Sequence, residues 1–238
     1  METSIAVIVT AAGSSSRMGG IKKEYCRLPE QKKTLSGLTV LGAAVSAFRG
    51  FPHIHRLVIT VPAEERGGEQ TARACLPPEF LEASAHPTIR FVAGGKTRRA
   101  SVHCGLSLLA SDNPGFVLIH DGARPWVSRL LIERLIDAVQ KHRAVLPLLP
   151  LTDTPKEVDD SGFVARHLKR NRVAAAQTPQ AFAFPAILEA HERAAERERL
   201  SGVEYTDDAE IWSEFFGPVA FISGEPENRK ITFPEDLS

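Results

Sequence analysis

Cysteine is scarce in this sequence. The 238-residue chain contains three cysteines, Cys26, Cys75 and Cys104. Their number is odd, no two of them form a CxxC pair, and no spacing among them suits a metal site. These absences argue against a disulfide framework and against structural zinc. We therefore expect a protein of the reducing cytoplasm.

The sequence also lacks an excess of one charge and a long apolar run. Its 29 Lys and Arg residues balance its 29 Asp and Glu residues, so no global positive field attracts nucleic acid or an anionic membrane. No segment approaches the roughly 18 apolar residues of a transmembrane helix, and the N-terminus lacks the basic region of a signal peptide. The eight histidines form no HExxH motif or triad-like arrangement, so none is assigned a catalytic role. We expect a soluble protein in which an anionic ligand needs a local cluster of positive charge.

The length and the apolar pattern predict one α/β domain over residues 1–238. A chain of this size can bury about 70 to 75% of the surface that its unfolded form exposes. Short β-rich runs end at turn residues, at 5–10, 56–61, 89–93 and 116–120. Between them, apolar residues recur at helical spacing over 35–48 and over 130–139, where Ser128 is the expected N-cap. This alternation predicts a Rossmann-like, mostly parallel sheet with helices on both faces and a ligand site beyond the carboxyl ends of its strands.

The pattern changes at residue 144. Two extended runs follow, joined by a turn at 159–162. Their polar and basic residues leave little core to pack on. We therefore expect a β-hairpin arm, approximately residues 151–172, that projects into solvent or docks on another subunit.

The loop after the first predicted strand reads AAGSSSRMGGIKK, residues 11–23. Small residues allow backbone N–H groups to approach an anion closely, and Arg17, Lys22 and Lys23 add positive charge. The loop matches neither Walker A nor GxGxxG. It is either a phosphate cradle or an ordinary flexible loop between a strand and a helix.

Two further loops follow predicted strands. Residues 94–102, GGKTRRASV, combine a tight glycine turn with polar side chains that suit a base or ribose, and the preceding residues exclude a Walker A motif because Arg90 replaces its first glycine. Residues 120–125, HDGARP, place Asp121 and Arg124 at the strand end. Asp121 could hold Mg²⁺ or a sugar hydroxyl, and Arg124 could grip a phosphate. The alternative is an ion pair without a function.

Seven motifs together resemble the 2-C-methyl-D-erythritol 4-phosphate cytidylyltransferase family over essentially the whole chain. In order they are AAGSSSRMGGIKK, GGKTRRASV, HDGARP, LTDTPK, KRNRVAAAQTPQAF, YTDDAEIW and PENRKITFPEDL. The resemblance implies a nucleotidyltransferase fold and a reaction in which the acceptor phosphate attacks the α-phosphorus of CTP. A phosphate monoester has its second pKa near 6 and is largely ionised at neutral pH, so no general base is required.

The resemblance also implies roles for individual residues. Those expected to stabilise the triphosphate and the transition state are Arg17, Lys23 and Lys230. Those expected around the nucleotide are Ala11, Ala12, Gly13, Gly95, Lys96, Ser101 and Gly122. Those expected to bind the polyol phosphate are Asp121, Arg124, Thr154, Arg170 and Thr206. Thr154 and Arg170 are expected to reach the site of the neighbouring subunit in a homodimer. Mg²⁺ is expected on the phosphates of CTP, with no metal site built by the protein.

The first loop departs from the usual family pattern. Ser15 stands where members usually have a second glycine, and Lys22-Lys23-Glu24 stands where they have a PKQ triplet. The loop is also one residue shorter than in many members, which leaves open whether Lys22 or Lys23 reaches the phosphates. Two alternative functions remain at this point. One is a cytidylyltransferase for ribitol 5-phosphate or another polyol phosphate, and the other is a catalytically silent nucleotide-binding module.

Overall fold

The computed structural model describes residues 4–15, 18–29, 35, 37–63 and 67–237. The strands in this part of the chain are β1 (Ile5–Thr10), β2 (Ile54–Val61), β3 (Thr88–Ala93), β4 (Phe116–Asp121), β5 (Ala144–Pro150), β6 (Lys156–Val158), β7 (Val164–His167), β8 (Ala174–Ala176), β9 (Gln180–Ala183) and β10 (Ala220–Ser223). The helices are α1 (Val40–Ser46), α2 (Gly68–Ala74), α3 (Arg98–Leu109), α4 (Arg129–His142), α5 (Ala186–Ser201) and α6 (Asp208–Phe216).

Eight of these strands form one sheet in the order β10-β5-β9-β4-β1-β2-β3, with β8 paired to β5. Strands β1 to β4 pair in parallel, whereas β9 lies antiparallel between β4 and β5. The predicted mostly parallel sheet is thus confirmed, and the antiparallel insertion is an addition to it. Because parallel strands end at the same edge of a sheet, the loops after β1 to β4 meet there.

Helices cover both faces of the sheet, as predicted. One apolar cluster joins the sheet to α1, α2 and α4, and the second joins the other face to α3, α5 and α6. Fully buried side chains such as Leu57 and Leu118 in the first cluster and Leu106 in the second each stabilise the fold by about 1.5 to 3 kcal/mol. In the part of the chain that the structure describes, no helix combines the length and apolarity needed to cross a membrane.

Capping residues set where two helices begin. Ser128 caps α4 as predicted, because its Oγ accepts a hydrogen bond from the backbone N of Leu131 at 3.0 Å. The prediction of a helix from residue 35 was wrong, since α1 starts only at Val40. Thr39 is the N-cap of α1. The preceding residue, Leu38, is not available to the helix because its carbonyl accepts a hydrogen bond from the backbone N of Leu28 at 2.9 Å.

The predicted arm is present as a separate two-stranded sheet of β6 and β7. Asp159 closes its turn by accepting hydrogen bonds at Oδ1 from the backbone N of Ser161 and of Phe163, both at 3.0 Å. Every residue of β6 and β7 is exposed. The extended run that starts at residue 144 first forms β5 of the main sheet, which ends at Pro150, just before the predicted arm.

Candidate active site

A cleft of about 810 Å³ opens at the edge of the sheet where β1 to β4 end. The loops after these four strands and the segment after β10 form its walls. Among the described residues, five cationic side chains and two carboxylates line the cleft: Lys22, Lys23, Lys96, Arg98 and Lys230, with Glu24 and Asp121. The chain has no net charge, so this is the local positive cluster that an anionic ligand requires.

The loop after β1 forms the first wall. Ala12 and Gly13 line the cleft, while Ala11 is buried below them and its amide donates to Thr60 Oγ1 at 3.2 Å. Ser15 has a φ of 51°, in the left-handed region that favours glycine. Ser15 therefore adopts the backbone conformation that a glycine at this position would adopt more easily.

The cations of this loop take different positions. Lys22 Nζ donates to the carbonyl of Gly13 and lies 4.0 Å from Glu24 Oε2. Lys23 is 9% exposed, so the protein covers most of its side chain. Both lysines line the cleft, whereas Arg17 lies outside the described residues. The structure thus brings both candidate lysines to the wall predicted to bind phosphate.

The glycine turn after β3 forms the facing wall. The backbone N of Gly94 donates to the carbonyl of Val61 at 2.7 Å, and a Cβ on Gly94 would lie 2.3 Å from the Cβ of Ala12. A Cβ on Gly95 would lie 2.4 Å from the Cβ of Ala100. Only glycine at position 94 therefore allows the two walls to pack this closely, and only glycine at position 95 allows the turn to pack against α3. The neighbouring Lys96 and Ser101, both predicted to contact the nucleotide, also line the cleft.

Asp121 ends β4 and is the most highly connected carboxylate of the cleft. Its Oδ2 accepts from Lys230 Nζ at 2.7 Å and lies 3.8 Å from Arg124 Nε, and its Oδ1 accepts from Arg98 Nε at 3.3 Å. Burial alone would raise the pKa of Asp121, but the attraction of Lys230, Arg98 and Arg124 outweighs it and holds that pKa well below its usual range. The carboxylate therefore stays ionised and orients the cations around it.

Arg98 connects the cleft to a second, fully buried carboxylate. Its Nη2 donates to Asp208 Oδ2 at 2.7 Å, and His191 Nε2 lies 3.2 Å from Asp208 Oδ1. Sequence reasoning assigned no role to these residues, although Arg98 and Asp208 both lie within quoted motifs. The sequence feature that could have drawn attention to Arg98 is its position as the first residue of α3, where a positive charge opposes the helix dipole.

Arg124 and Gly122 lie beside the cleft rather than in its lining. Arg124 Nη1 donates to the carbonyl of Asn228 at 2.7 Å, which ties the strand end to the segment before Lys230. The backbone N of Gly122 donates to the carbonyl of Thr10 at 2.9 Å, and a Cβ there would approach that oxygen equally closely, at 2.9 Å. In this structure both residues hold β4 and its neighbours together.

His120, to which the sequence assigned no role, is a buried residue held by two hydrogen-bond partners. It is fully buried, with Nε2 3.0 Å from the carbonyl of Arg124 and Nδ1 3.1 Å from Thr178 Oγ1. Thr178 Oγ1 in turn accepts from the backbone N of Asp121 at 3.0 Å. The Arg124 carbonyl can only accept, so Nε2 carries the proton, and Nδ1 of the neutral imidazole then accepts from the Thr178 hydroxyl. Burial lowers the pKa of His120 to about 4.

Three predicted substrate-binding residues lie away from the cleft lining. Thr206 donates through Oγ1 and through its backbone N to Glu210 Oε2, both at 2.8 Å, at the start of α6. Thr154 and Arg170 lie at the base of the arm, where Arg170 Nη1 donates to the carbonyl of Thr152 at 2.6 Å. Within one chain, the structure does not bring these three residues to the cleft.

Comparison with known proteins gives consistent matches. The chain matches the family described as 2-C-methyl-D-erythritol 4-phosphate cytidylyltransferase (IspD) over residues 5–238. It is 40% identical over 98% of its length to a protein named bifunctional enzyme IspD/IspF from Nitrobacter winogradskyi. That match covers 54% of the relative, so the chain spans about half the length of the curated relatives that it matches.

Solved structures agree with the sequence comparison. The 4-diphosphocytidyl-2C-methyl-D-erythritol synthase of Anaerococcus prevotii is 28% identical, with a TM-score of 0.79 over 99% of this chain and 93% of the other. The 2-C-methyl-D-erythritol 4-phosphate cytidylyltransferase of Thermus thermophilus is 30% identical, with a TM-score of 0.71 over 100% and 96%. These matches confirm the resemblance found in the motifs: the chain belongs to the 2-C-methyl-D-erythritol 4-phosphate cytidylyltransferase family.

Proposed function

We propose that this chain transfers the cytidylyl group of CTP to 2-C-methyl-D-erythritol 4-phosphate and releases pyrophosphate. Family membership supports the reaction. The main structural support for the proposal is the cleft at the carboxyl edge of the sheet. Among its described lining residues, cationic side chains outnumber carboxylates, and a glycine turn faces a loop of small residues. This arrangement offers one wall to a triphosphate and another to a base.

The chemistry needs charge stabilisation more than proton transfer. An oxygen of the acceptor phosphate forms a bond to the α-phosphorus of CTP, and the bond from that phosphorus to the β-phosphate oxygen breaks to release pyrophosphate. The attacking oxygen is already ionised at neutral pH. In the proposal, Lys23 and Lys230 stabilise the negative charge of the transition state, while Asp121 orients the acceptor and Lys230.

Mg²⁺ is the proposed cofactor, carried on the phosphates of CTP. Among the described residues, no three Asp, Glu, His or Cys side chains gather as a metal site, and Asp121 is engaged by three cations. Such residues fit a metal that takes most of its oxygen ligands from phosphate and water. When bound, the ion would neutralise part of the phosphate charge. Asp121, which lines the cleft at the end of β4, would be the protein carboxylate that contributes to holding it.

The proposal is tested by measuring pyrophosphate release from CTP and Mg²⁺ with 2-C-methyl-D-erythritol 4-phosphate as acceptor. Ribitol 5-phosphate in a parallel reaction tests the alternative acceptor, and faster release with it would overturn the proposed one. ATP and GTP test the base, since the proposal expects both to be poor donors. Equal turnover with ATP would contradict the base assignment. Absence of release with every pair, alongside CTP binding, would indicate a nucleotide-binding module.

The arm supports a second part of the proposal, a two-fold homodimer. Val158, Phe163 and Val164 are 67%, 71% and 50% exposed on this small sheet, although a two-stranded sheet alone is marginally stable in water. A partner subunit would cover these apolar side chains and support the arm. Thr154 and Arg170 would then contribute to the partner's cleft, which explains why they lie away from the cleft of their own chain.

Subunit mixing tests this arrangement. An Arg170→Ala chain and a Lys23→Ala chain, each inactive alone, should regain activity together, because one site of the heterodimer contains both native residues. With random exchange about half of the dimers are mixed, so about a quarter of the wild-type sites should recover. A fully active monomer in sedimentation, or no recovery after confirmed exchange, would contradict the proposal.

A cytoplasmic location is the remaining part of the proposal. Cys26, Cys75 and Cys104 are all free thiols in the structure, as expected of a protein in a reducing compartment. Fractionation of the source cells with an antibody to this chain would test it. Recovery in a membrane or periplasmic fraction would contradict it.

A further inference from the structure

A continuous line of ionisable side chains runs from the cleft into the core. Lys230 contacts Asp121 at 2.7 Å, Asp121 contacts Arg98 at 3.3 Å, Arg98 contacts Asp208 at 2.7 Å, and Asp208 lies 3.2 Å from His191. Asp208 and His191 are fully buried, whereas Arg98 also lines the cleft. We propose that Arg98 is a positioning residue, which fixes the Asp121 carboxylate against the buried Asp208 so that Lys230 is available to the substrate phosphates.

The geometry of the guanidinium supports this role. Arg98 uses Nε for Asp121 and Nη2 for Asp208, so one edge of a rigid planar group sets the distance and angle between two carboxylates. A lysine at this position would offer a single nitrogen on a flexible stem and could not reproduce that edge. Asp208 is itself fixed in the first turn of α6 and faces His191 of α5.

The location of Arg98 argues against a role in stability alone. It is the first residue of α3, where a positive charge opposes the helix dipole, and its pair with Asp208 requires a carboxylate with no solvent exposure. A buried ion pair is often no more stabilising than apolar residues of the same volume. A function of the pair in the adjacent cleft accounts for its presence.

The need for an anchor follows from the two demands on Asp121. Lys230 is the closest cation to this carboxylate, yet the proposed reaction requires Lys230 to contact phosphate. When Lys230 turns towards the substrate, Arg98 and the more distant Arg124 must hold Asp121 in place. Without Arg98, the carboxylate would follow Lys230 towards the substrate. The inference therefore rests on the proposed function for its kinetic consequence.

The experiment uses Arg98→Met and the double variant Arg98→Met with Asp208→Asn. Arg98→Met alone leaves the buried Asp208 carboxylate with His191 as its remaining ionisable neighbour and should lower the melting temperature by about 6 to 20 °C. Adding Asp208→Asn removes that charge and should recover more than half of the loss. If Arg98 positions Asp121, kcat of the stable double variant remains about 10- to 100-fold below wild type. The dissociation constant for CTP should stay close to that of wild type.

Recovery of kcat together with stability in the double variant would overturn the proposal, because Arg98 would then be only structural. The matched control is Arg99→Met with Glu198→Gln. Arg99 is the next residue of the same helix, and its Nε contacts Glu198 Oε2 at 2.6 Å, outside the cleft lining. This control should keep the wild-type kcat. A loss equal to that of the Arg98 double variant would show that any ion pair between α3 and α5 or α6 has the same effect.

A second readout does not depend on activity. Crystal structures of the wild type and of the Arg98 double variant, both with CTP and Mg²⁺ bound, should show the Asp121 carboxylate rotated or shifted by about 1 Å in the variant, with Gly94 and β4 unmoved. An unchanged carboxylate would overturn the positioning role. If the wild-type chain released no pyrophosphate with any acceptor, the proposed function would fail, and this structural comparison would still decide whether Arg98 orients Asp121.

Discussion

His120 makes the stability of this protein depend on pH in a defined way. Its imidazole is fully buried between the carbonyl of Arg124 and the hydroxyl of Thr178, and burial lowers its pKa from 6.5 to about 4. Between these two values the unfolded chain binds more protons than the folded chain. Unfolding therefore becomes easier as pH falls through this range. The stabilisation is fully present above about pH 6.5 and is lost progressively down to about pH 4.

The magnitude follows from the two pKa values. Between pH 7 and pH 4.5, protonation of His120 in the unfolded chain should reduce the free energy of unfolding by about 2 kcal/mol. Urea denaturation at both pH values gives the change in unfolding free energy between pH 7 and pH 4.5 for wild type and for His120→Asn. The difference between these two changes is the contribution of His120. The variant should be less stable at pH 7 but should lose about 2 kcal/mol less on acidification, because carboxylate titrations are common to both proteins.

Phe48→Leu is the matched control. The Phe48 ring packs edge-on against His120, with centroids 5.2 Å apart, so its replacement removes packing and retains the titrating imidazole. This variant should be destabilised at both pH values and keep the pH dependence of the wild type. Equal losses on acidification for wild type and His120→Asn would refute the reasoning. A histidine titration by NMR that places the His120 pKa near 6.5 would also refute it.

Two further predictions concern the walls of the cleft. Lys23→Ala and Lys230→Ala should each lower kcat about 100-fold, or about 3 kcal/mol, with a smaller change in KM, because the lost contact acts on the transition state. Lys22→Ala is the control in the same steady-state assay: a crippled Lys22 variant beside a nearly normal Lys23 variant would show that Lys22 is the phosphate ligand. Gly94→Ala should cost about 1 to 3 kcal/mol of unfolding free energy in thermal denaturation, since its Cβ would meet that of Ala12 at 2.3 Å. Adding Ala12→Gly should recover part of this loss, and a Gly94→Ala protein as stable as wild type would contradict the close packing of the two walls.

Local patterns in the sequence were sufficient for the elements that frame the cleft. The apolar run at 5–10 is β1, and the run at 116–120 differs from β4 by one residue. Apolar periodicity and the Ser128 cap predicted α4. These signals act within one strand or a few helical turns, so they can be read without knowing what the element packs against.

The pairing of segments that are distant in the sequence could not be predicted from such local patterns. Strand β9 inserts antiparallel between β4 and β5, and the run at 144–150 pairs in parallel with β10. The helix expected from residue 35 is shortened because Leu38 bonds to Leu28. Such outcomes depend on which partner a segment meets in the folded chain, and periodicity alone does not identify that partner.

For the candidate site as well, the sequence predicted which loops are involved but not how their side chains contact one another. The sequence by itself determined the family, through seven motifs in order, and with it the loops after β1, β3 and β4 that form much of the cleft wall. The tertiary structure alone decided how their charges connect, since Arg98 and Asp208 are 110 residues apart in sequence and 2.7 Å apart in space. The physical reason is that the residues next to a charged side chain in the sequence do not identify the residue with which it will form an ion pair. Burial and the convergence of strand ends bring Lys230, Asp121, Arg98 and Asp208 together.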